Sequence, residues 1–368
     1  MLFFCGRRVG IRELDNIIFE NYKLSRGQFV ETPDESLYLD RVPIGAEGAI
    51  VTKPEGETAL SAMQAEPAQL ATDTHNLGAA PFALADDGAY AAWRAAKLAD
   101  APADVAALMV DIADPTALTA TEIGALTDRC RRFNMAFYRT RADATKDDVL
   151  ALAAALDLED LERPLLTGED GITELSVAGM AEARRGIYIP YSNKPLSWHT
   201  DGYYNPSGRW VLAMTLHCVR PAASGGDAQY LDPEIAYIRL RDRDPAFVSA
   251  LMHPQALTIP ANEAEAEVAR GAESGPVFDV IDGRLAMRYT HRLRSAVWRD
   301  DTVTAAAREC LRTLLDDGDP MMVSYRLGAG EGIVSNNVLH RRTGFENPPA
   351  SGAGRLLYRA RFRRRIRA

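Results

Sequence analysis

The chain has 368 residues, 47% of them apolar and 25% charged, with a net charge of −9. That is ordinary soluble composition, enough for one large domain or two smaller ones with a sizeable core, and the acidic balance excludes a general nucleic-acid binder. Four scattered cysteines (Cys5, Cys130, Cys218, Cys310) form no CxxC and no Cys/His cluster, which excludes a zinc framework and fits a reducing compartment. No apolar run reaches the roughly 18 residues of a membrane span. The opening MLFFCGRRVG puts its apolar patch before its arginines, the reverse of a signal peptide. A cytoplasmic protein with no membrane partner is expected, and self-association into a homo-oligomer is left open.

Residues 1–78 mix short strand-like pieces, GQFVET and SLYLDRV, with a polar, Ala-rich stretch. They read as an accessory segment and linker without an assignable role. Helical periodicity then dominates to about residue 160. Tyr90, Trp93, Ala96 and Leu98 recur at helical spacing within 87–99. Thr119-x-x-Glu122 is a capping box opening a helix with Ile123, Leu126 and Cys130 on one side. A further helix begins at Thr145, with Val149, Leu150, Leu152 and Ala153 inward.

From Ile187 strands take over. WVLAMTLHCV (210–219) fits a buried strand, PVFDVIDGRLAMRY a hairpin turning at Asp282-Gly283, and MMVSYRL, EGIVSNNVLH and RLLYRARF further strands. One amphipathic helix interrupts them, with Val303, Ala307, Cys310, Leu311 and Leu314 on one face. The basic end, Arg359–Ala368, reads as a last strand and a solvated terminus. Helices followed by many strands with Gly-bearing turns predict an α+β fold: an antiparallel sandwich or barrel with helices outside.

Within SWHTDGYYNPSGRW (197–210), His199 and Asp201 are separated by one residue. On a strand such residues share a face, so both can reach one ion, although a chance pair making surface hydrogen bonds would look the same. Of the six histidines, His340 stands out because it closes the strand-like segment before RRTGF. Two histidines and a carboxylate leave open positions on a metal and are the facial triad of non-haem iron(II) oxygenases. His217, mid-strand, reads as a core or wall residue; His75 lies in the linker, His253 in a loop, and His291 near a pocket wall. Alternation in RLLYRARF puts Arg355, Leu357, Arg359 and Arg361 on one face. Arginines on a buried strand need anions, and carboxylates match them bidentately; arginines of an exposed edge strand are the alternative.

The order His199-x-Asp201, Gly225-Gly226-Asp227, Asn337-x-x-His340, Arg355-x-x-x-Arg359 resembles the taurine dioxygenase-like (TauD/TfdA) family of Fe(II)- and 2-oxoglutarate-dependent dioxygenases. The resemblance covers roughly residues 80–365, and the lead-in FNMAFYRT looks like the first strand of the family's core. It implies a double-stranded β-helix (jelly roll) from about residue 185 within a domain spanning 79–368, with helices packed outside. It implies Fe(II) on His199, Asp201 and His340, with O2 and 2-oxoglutarate as co-substrates. It places the far carboxylate of 2-oxoglutarate on Arg355 and the substrate's anionic group on Arg359, with release of succinate and carbon dioxide. Asn336 and Asn337 are expected beside the triad. Three departures or markers qualify the match. Ala228 stands where taurine dioxygenase has a Thr that helps bind 2-oxoglutarate, and a methyl donates no hydrogen bond. The loop from His340 to Arg355 is a few residues longer, which leaves open which arginine holds 2-oxoglutarate. Asp201 is present, favouring hydroxylation over the halogenation of relatives that lack this carboxylate.

The substrate is expected to be a small anionic or amino-acid-like molecule, met by Asn193, Ser197, Tyr203 and Tyr204 at the pocket mouth and by Arg288, His291, Arg292 and Arg359 within it. A jelly-roll metalloprotein of other chemistry, such as a cupin-type isomerase, and a non-catalytic binding module are the rivals.

Overall fold

Four helices lead the described chain: α1 (Asp87–Ala99), α2 (Val105–Leu108), α3 (Ala120–Phe133) and α4 (Lys146–Ala154). The computed structural model describes residues 80–99, 102, 104–164, 167–177, 189–262, 270–292, 296–348 and 354–366; the segment 1–78 with its strand-like pieces, Cys5 and His75 lies outside them. Helix α3 starts at the expected capping box, in which Thr119 accepts from the Glu122 amide while Glu122 accepts from that of Thr119. Thr145 and Asp148 make a second box at α4, satisfying amides that a helix start leaves orphaned.

Strands begin earlier than the helical periodicity predicts. β1 (Met109–Asp111) and β2 (Met135–Arg139) pair in parallel between the helices. Asn134 ends α3 in the left-handed region at φ 57°, and the next five residues are too few for a helix but fill a sheet position. The main sheet also draws on β3 (Leu161–Glu162), β4 (Thr173–Ser176), β6 (Ala213–Arg220), β15 (Glu331–Ser335) and β18 (Leu356–Phe362). Its order is β1-β2-β15-β6-β18-β3, with β4 also on β18. The sheet thus recruits strands well before residue 185.

A second antiparallel sheet runs β14 (Val323–Tyr325), β8 (Ala228–Leu231), β16 (Leu339–Arg342), β5 (Leu196–His199). A two-stranded strip pairs β7 (Ser224–Gly225) with β17 (Phe345–Glu346). Phe137, Cys218, Ile333 and Leu357 of the main sheet share one core with Tyr230 and Val323 of the second, and Phe137 meets Tyr230 edge-on at 5.4 Å. Each such buried side chain contributes about 1.5–3 kcal/mol. EGIVSNNVLH is two strands, not one: β15 lies in the main sheet and β16 in the second. Asn337, at φ 52°, turns the chain across, a conformation Asn tolerates better than other side chains.

A lateral core gathers α5 (Pro233–Arg243), α6 (Pro245–Leu251) and α7 (Thr302–Asp317). With them stand β9 (Leu257–Ile259), β10 (Glu273–Gly275), β13 (Val297–Trp298) and the hairpin β11 (Phe278–Ile281)–β12 (Arg284–Met287). The hairpin turns at Asp282-Gly283, both at positive φ, as a two-residue loop with the twist of its strands requires. Helix α7 buries Thr304, Ala307, Leu311 and Leu315, while Val303 is exposed; the buried stripe is rotated from the one the apolar residues mark out. Helix α1 docks through Lys97, whose ammonium meets Asp232 at 2.6 Å and Glu234 at 2.5 Å. Among the described residues no helix is long and apolar enough to cross a membrane.

Candidate active site

His199 ends β5, Asp201 follows two residues on, and His340 on β16 is the register partner of His199. Their donor atoms all lie within 4.8 Å of one another. In each histidine Nδ1 lies 2.9 Å from the carbonyl two residues before it, Ser197 O and Val338 O. A proton held there leaves the Nε2 lone pair free. Burial and the neighbouring His199 push the His340 imidazole down to about 4, so it is neutral near neutral pH. Burial alone would raise the Asp201 carboxyl, but Arg359, His199 and Arg361 outweigh it and hold it well below the usual carboxylate range. Two imidazoles and a carboxylate with open space beside them are a donor set for a divalent cation with vacant positions.

The loop after His199 is fastened residue by residue. The Asp201 amide donates to Asn337 Oδ1 (2.8 Å), and Asn337 Nδ2 donates to the carbonyls of Asp201 and Val211 (2.9 and 2.7 Å). Gly202 turns the chain at φ 66°, and a Cβ there would meet Val211 Cγ2 at 2.4 Å.

From His340 a cavity extends between the two sheets, lined by Leu216, Ala228, Tyr230, Arg355, Leu357 and Arg359 among others. Arg355 is buried, stacks its guanidinium over Phe345 at 4.9 Å, and has its pKa lowered by desolvation. No carboxylate pairs with that guanidinium among the described residues, an arrangement that calls for a bound anion. Arg359 NH1 lies 3.2 Å from both oxygens of Asp201, and its Nε has no partner. Arg361, on the same strand face, is taken up by Glu162 at 2.6 Å and donates to the Tyr204 hydroxyl at 3.0 Å. Gly225 and Gly226 have φ of 65° and 79°; a Cβ on Gly225 would meet Gly344 O at 2.3 Å. Ala228 contributes only its methyl to the wall.

The other expected pocket residues fall elsewhere. Asn193 is exposed, accepts from the Phe345 amide through its carbonyl and does not line the cavity; Ser197 is exposed too. Tyr203 meets Tyr204 edge-on at 5.4 Å and gives its carbonyl to Arg288. Arg288 is a buried structural cation, not a free one: it donates to the carbonyls of Leu257, Glu273, Gly275 and Pro276 as well. His291 turns its Nδ1 to the Tyr289 hydroxyl at 3.0 Å. His217 is fully buried, as its mid-strand position predicts. The pairing of Glu162 with Arg361 and Asn205 has one signal in the sequence, an arginine on a strand that has to be buried.

The family model described as "Taurine catabolism dioxygenase TauD, TfdA family" matches residues 96–361. The uridine-5'-phosphate dioxygenase of an Amycolatopsis species is 33% identical over 182 residues, 46% of this chain and 62% of its own length; the match thus spans less than two thirds of that relative. An asparagine oxygenase solved with Fe(II), 2S,3S-3-hydroxyasparagine and succinate is similar at a TM-score of 0.50 and 20% identity, over 67% of this chain and 80% of its own. The non-heme iron oxygenase OrfP, solved with Fe and alpha-ketoglutaric acid, gives 0.50 and 18% over the same shares. At these identities the two structures speak to the fold.

Proposed function

Because the chain belongs to the TauD/TfdA family of taurine catabolism dioxygenases, we propose that it is an Fe(II)- and 2-oxoglutarate-dependent dioxygenase that oxidises a small anionic molecule and releases succinate and carbon dioxide. The two facing sheets are read as the double-stranded β-helix of that family. The observation that supports the activity most is the convergence of His199, Asp201 and His340 at one end of a cavity whose wall carries the carboxylate-free guanidinium of Arg355.

The residues fit the metal. Two Nε2 atoms are free because Nδ1 is held by carbonyls, and Asp201 is ionised. When bound, iron(II) supplies the redox chemistry that couples decarboxylation of 2-oxoglutarate to substrate oxidation. Arg355 would bind the far carboxylate of 2-oxoglutarate, while Leu216, Tyr230 and Leu357 line the acid's chain and exclude water from it. Phe345 under Arg355 fixes the plane of the fork and so the direction from which a carboxylate is accepted. Arg359 steadies Asp201 with NH1 and keeps Nε for the substrate's anionic group.

An anion is favoured over a zwitterion because, among the described residues, the cavity lining holds arginines and a histidine but no Asp or Glu to receive an ammonium group. The Amycolatopsis relative acts on uridine-5'-phosphate by its name, so a nucleoside monophosphate is the first substrate class to assay. Tyr203, two residues after Asp201, is the hydrogen-bonding candidate for the substrate; Asn193, tied to the Phe345 amide away from the cavity, is not. The test is anaerobic titration of the Fe(II)-loaded protein with 2-oxoglutarate. A visible charge-transfer band supports chelation, whereas iron binding without a band would favour a metalloprotein of other chemistry.

A further inference from the structure

We propose that Glu162 and Arg361 are a positioning pair which fixes, through Tyr204 and Asn205, the loop that carries Asp201, and so sets how tightly the cluster takes a divalent cation. This rests on reading His199, Asp201 and His340 as a metal centre. Glu162 and Arg361 are buried, with Nε–Oε2 and NH2–Oε2 distances of 2.8 and 2.6 Å. Their strands already pair side by side, Arg361 against Glu162 in register, so the ladder does not need the charges. A buried ion pair adds little stability over apolar residues of the same size, because desolvation offsets the attraction. What the pair adds is geometry.

Both partners also reach the same loop. Arg361 NH1 donates to the Tyr204 hydroxyl at 3.0 Å, and Glu162 Oε1 accepts from Asn205 Nδ2 at 3.2 Å. The loop turns sharply here, with the Asn205 amide donating to the Gly202 carbonyl at 2.8 Å. Asn337 grips the backbone of Asp201 and Arg288 the carbonyl of Tyr203. Tyr204 and Asn205 are therefore the far end of a five-residue span whose near end holds the Asp201 carboxylate. Releasing that end leaves Asn337 and Arg288 as the remaining anchors of the span and lets the Asp201 carboxylate drift from the geometry the two histidines require. Direct outer partners of metal ligands govern affinity about 10–100-fold, and a pair one step further out acts at or below the low end of that range.

The experiment measures Co(II) affinity of the full chain by its visible absorption, at a temperature where every variant is folded, beside the melting temperature of the metal-free protein. Tyr204→Phe removes one hydroxyl and leaves the ion pair. The double variant Glu162→Met with Arg361→Met removes both charges and leaves neither stranded. About 5-fold weaker Co(II) binding for Tyr204→Phe, and about 10-fold for the double variant, with the melting temperature of Tyr204→Phe lowered by only about 2–4 °C, is the expected result. Co(II) affinity equal to wild type in Tyr204→Phe and in the folded double variant would overturn the proposal, whatever happened to the melting temperature. Should the double variant not fold, Tyr204→Phe alone decides. Wild-type protein that takes up no Co(II) would overturn the metal-centre reading itself, and the role of the pair with it.

Discussion

His199 and His340 face each other across the antiparallel pair β5–β16, with ring centroids 4.2 Å apart and planes at 50°. Neighbouring strands bring opposed side chains to about 4.5–5.5 Å, so the sheet itself sets the spacing of the two imidazoles, and the turn after β5 swings the Asp201 carboxylate in beside them. Replacing His199, Asp201 or His340 by Ala should abolish turnover and lower Fe(II) affinity by at least about 100-fold with the far-ultraviolet circular dichroism kept. A variant with near-full turnover would remove that residue from the ligand set.

Arg355 is the residue on which 2-oxoglutarate affinity should depend. Arg355→Ala is expected to weaken 2-oxoglutarate binding by about 10–100-fold, the worth of a charged bidentate contact, with Co(II) affinity unchanged. Lys at this position should recover part of the loss, since it keeps charge without the fork. If Arg359→Ala produced the 2-oxoglutarate defect and Arg355→Ala did not, the two roles would be exchanged. Isothermal titration with each variant makes the comparison.

His217 makes stability depend on pH. Burial pushes its imidazole down to about 4 from an ordinary 6.5, and Nε2 reaches no partner. On acidification the unfolded chain protonates this residue near its ordinary value, while the folded chain stays neutral until about 4. The stabilisation is complete above 6.5 and is lost as the pH falls through that window. Between about pH 7 and about pH 5 wild type should lose roughly 2 kcal/mol more than His217→Gln, whose neutral amide can both donate and accept beside the Tyr138 hydroxyl. Urea denaturation at both values reads the difference, and equal losses would clear His217.

Lys97 is the one described lysine facing two buried carboxylates, Asp232 and Glu234. Lys97→Met strands both, and should cost about 3–5 kcal/mol in chemical denaturation. A cost under about 1 kcal/mol would mean that the carboxylates simply take up protons or water.

Much of the candidate site was legible because its chemistry is local or periodic: His199 and Asp201 lie two apart, and Arg355 and Arg359 share a strand face. Likewise Thr119-x-x-Glu122 and Asp282-Gly283 encode a helix start and a hairpin within four residues. What escaped depends on partners far along the chain. Nothing near Arg361 points to Glu162, nothing near Lys97 to Asp232, and Arg288 looks like a substrate cation until five carbonyls are found around it. EGIVSNNVLH has strand composition throughout, and only the left-handed Asn337 divides it between two sheets. Helical spacing of the apolar residues misplaces the face of α7, because a Thr replaces an apolar residue on its buried side.

Strand β18 is the last strand of the described chain, yet it lies inside the main sheet, flanked by β6 on one side and by β3 and β4 on the other. During synthesis the long edge of β6 must therefore wait, unpaired, until every other described strand has been made. An open edge of that length is a template for the wrong partner. Chains halted before Leu356 should accumulate as aggregates, while completion of β18 closes that edge and delivers the arginines to the cavity in the same event.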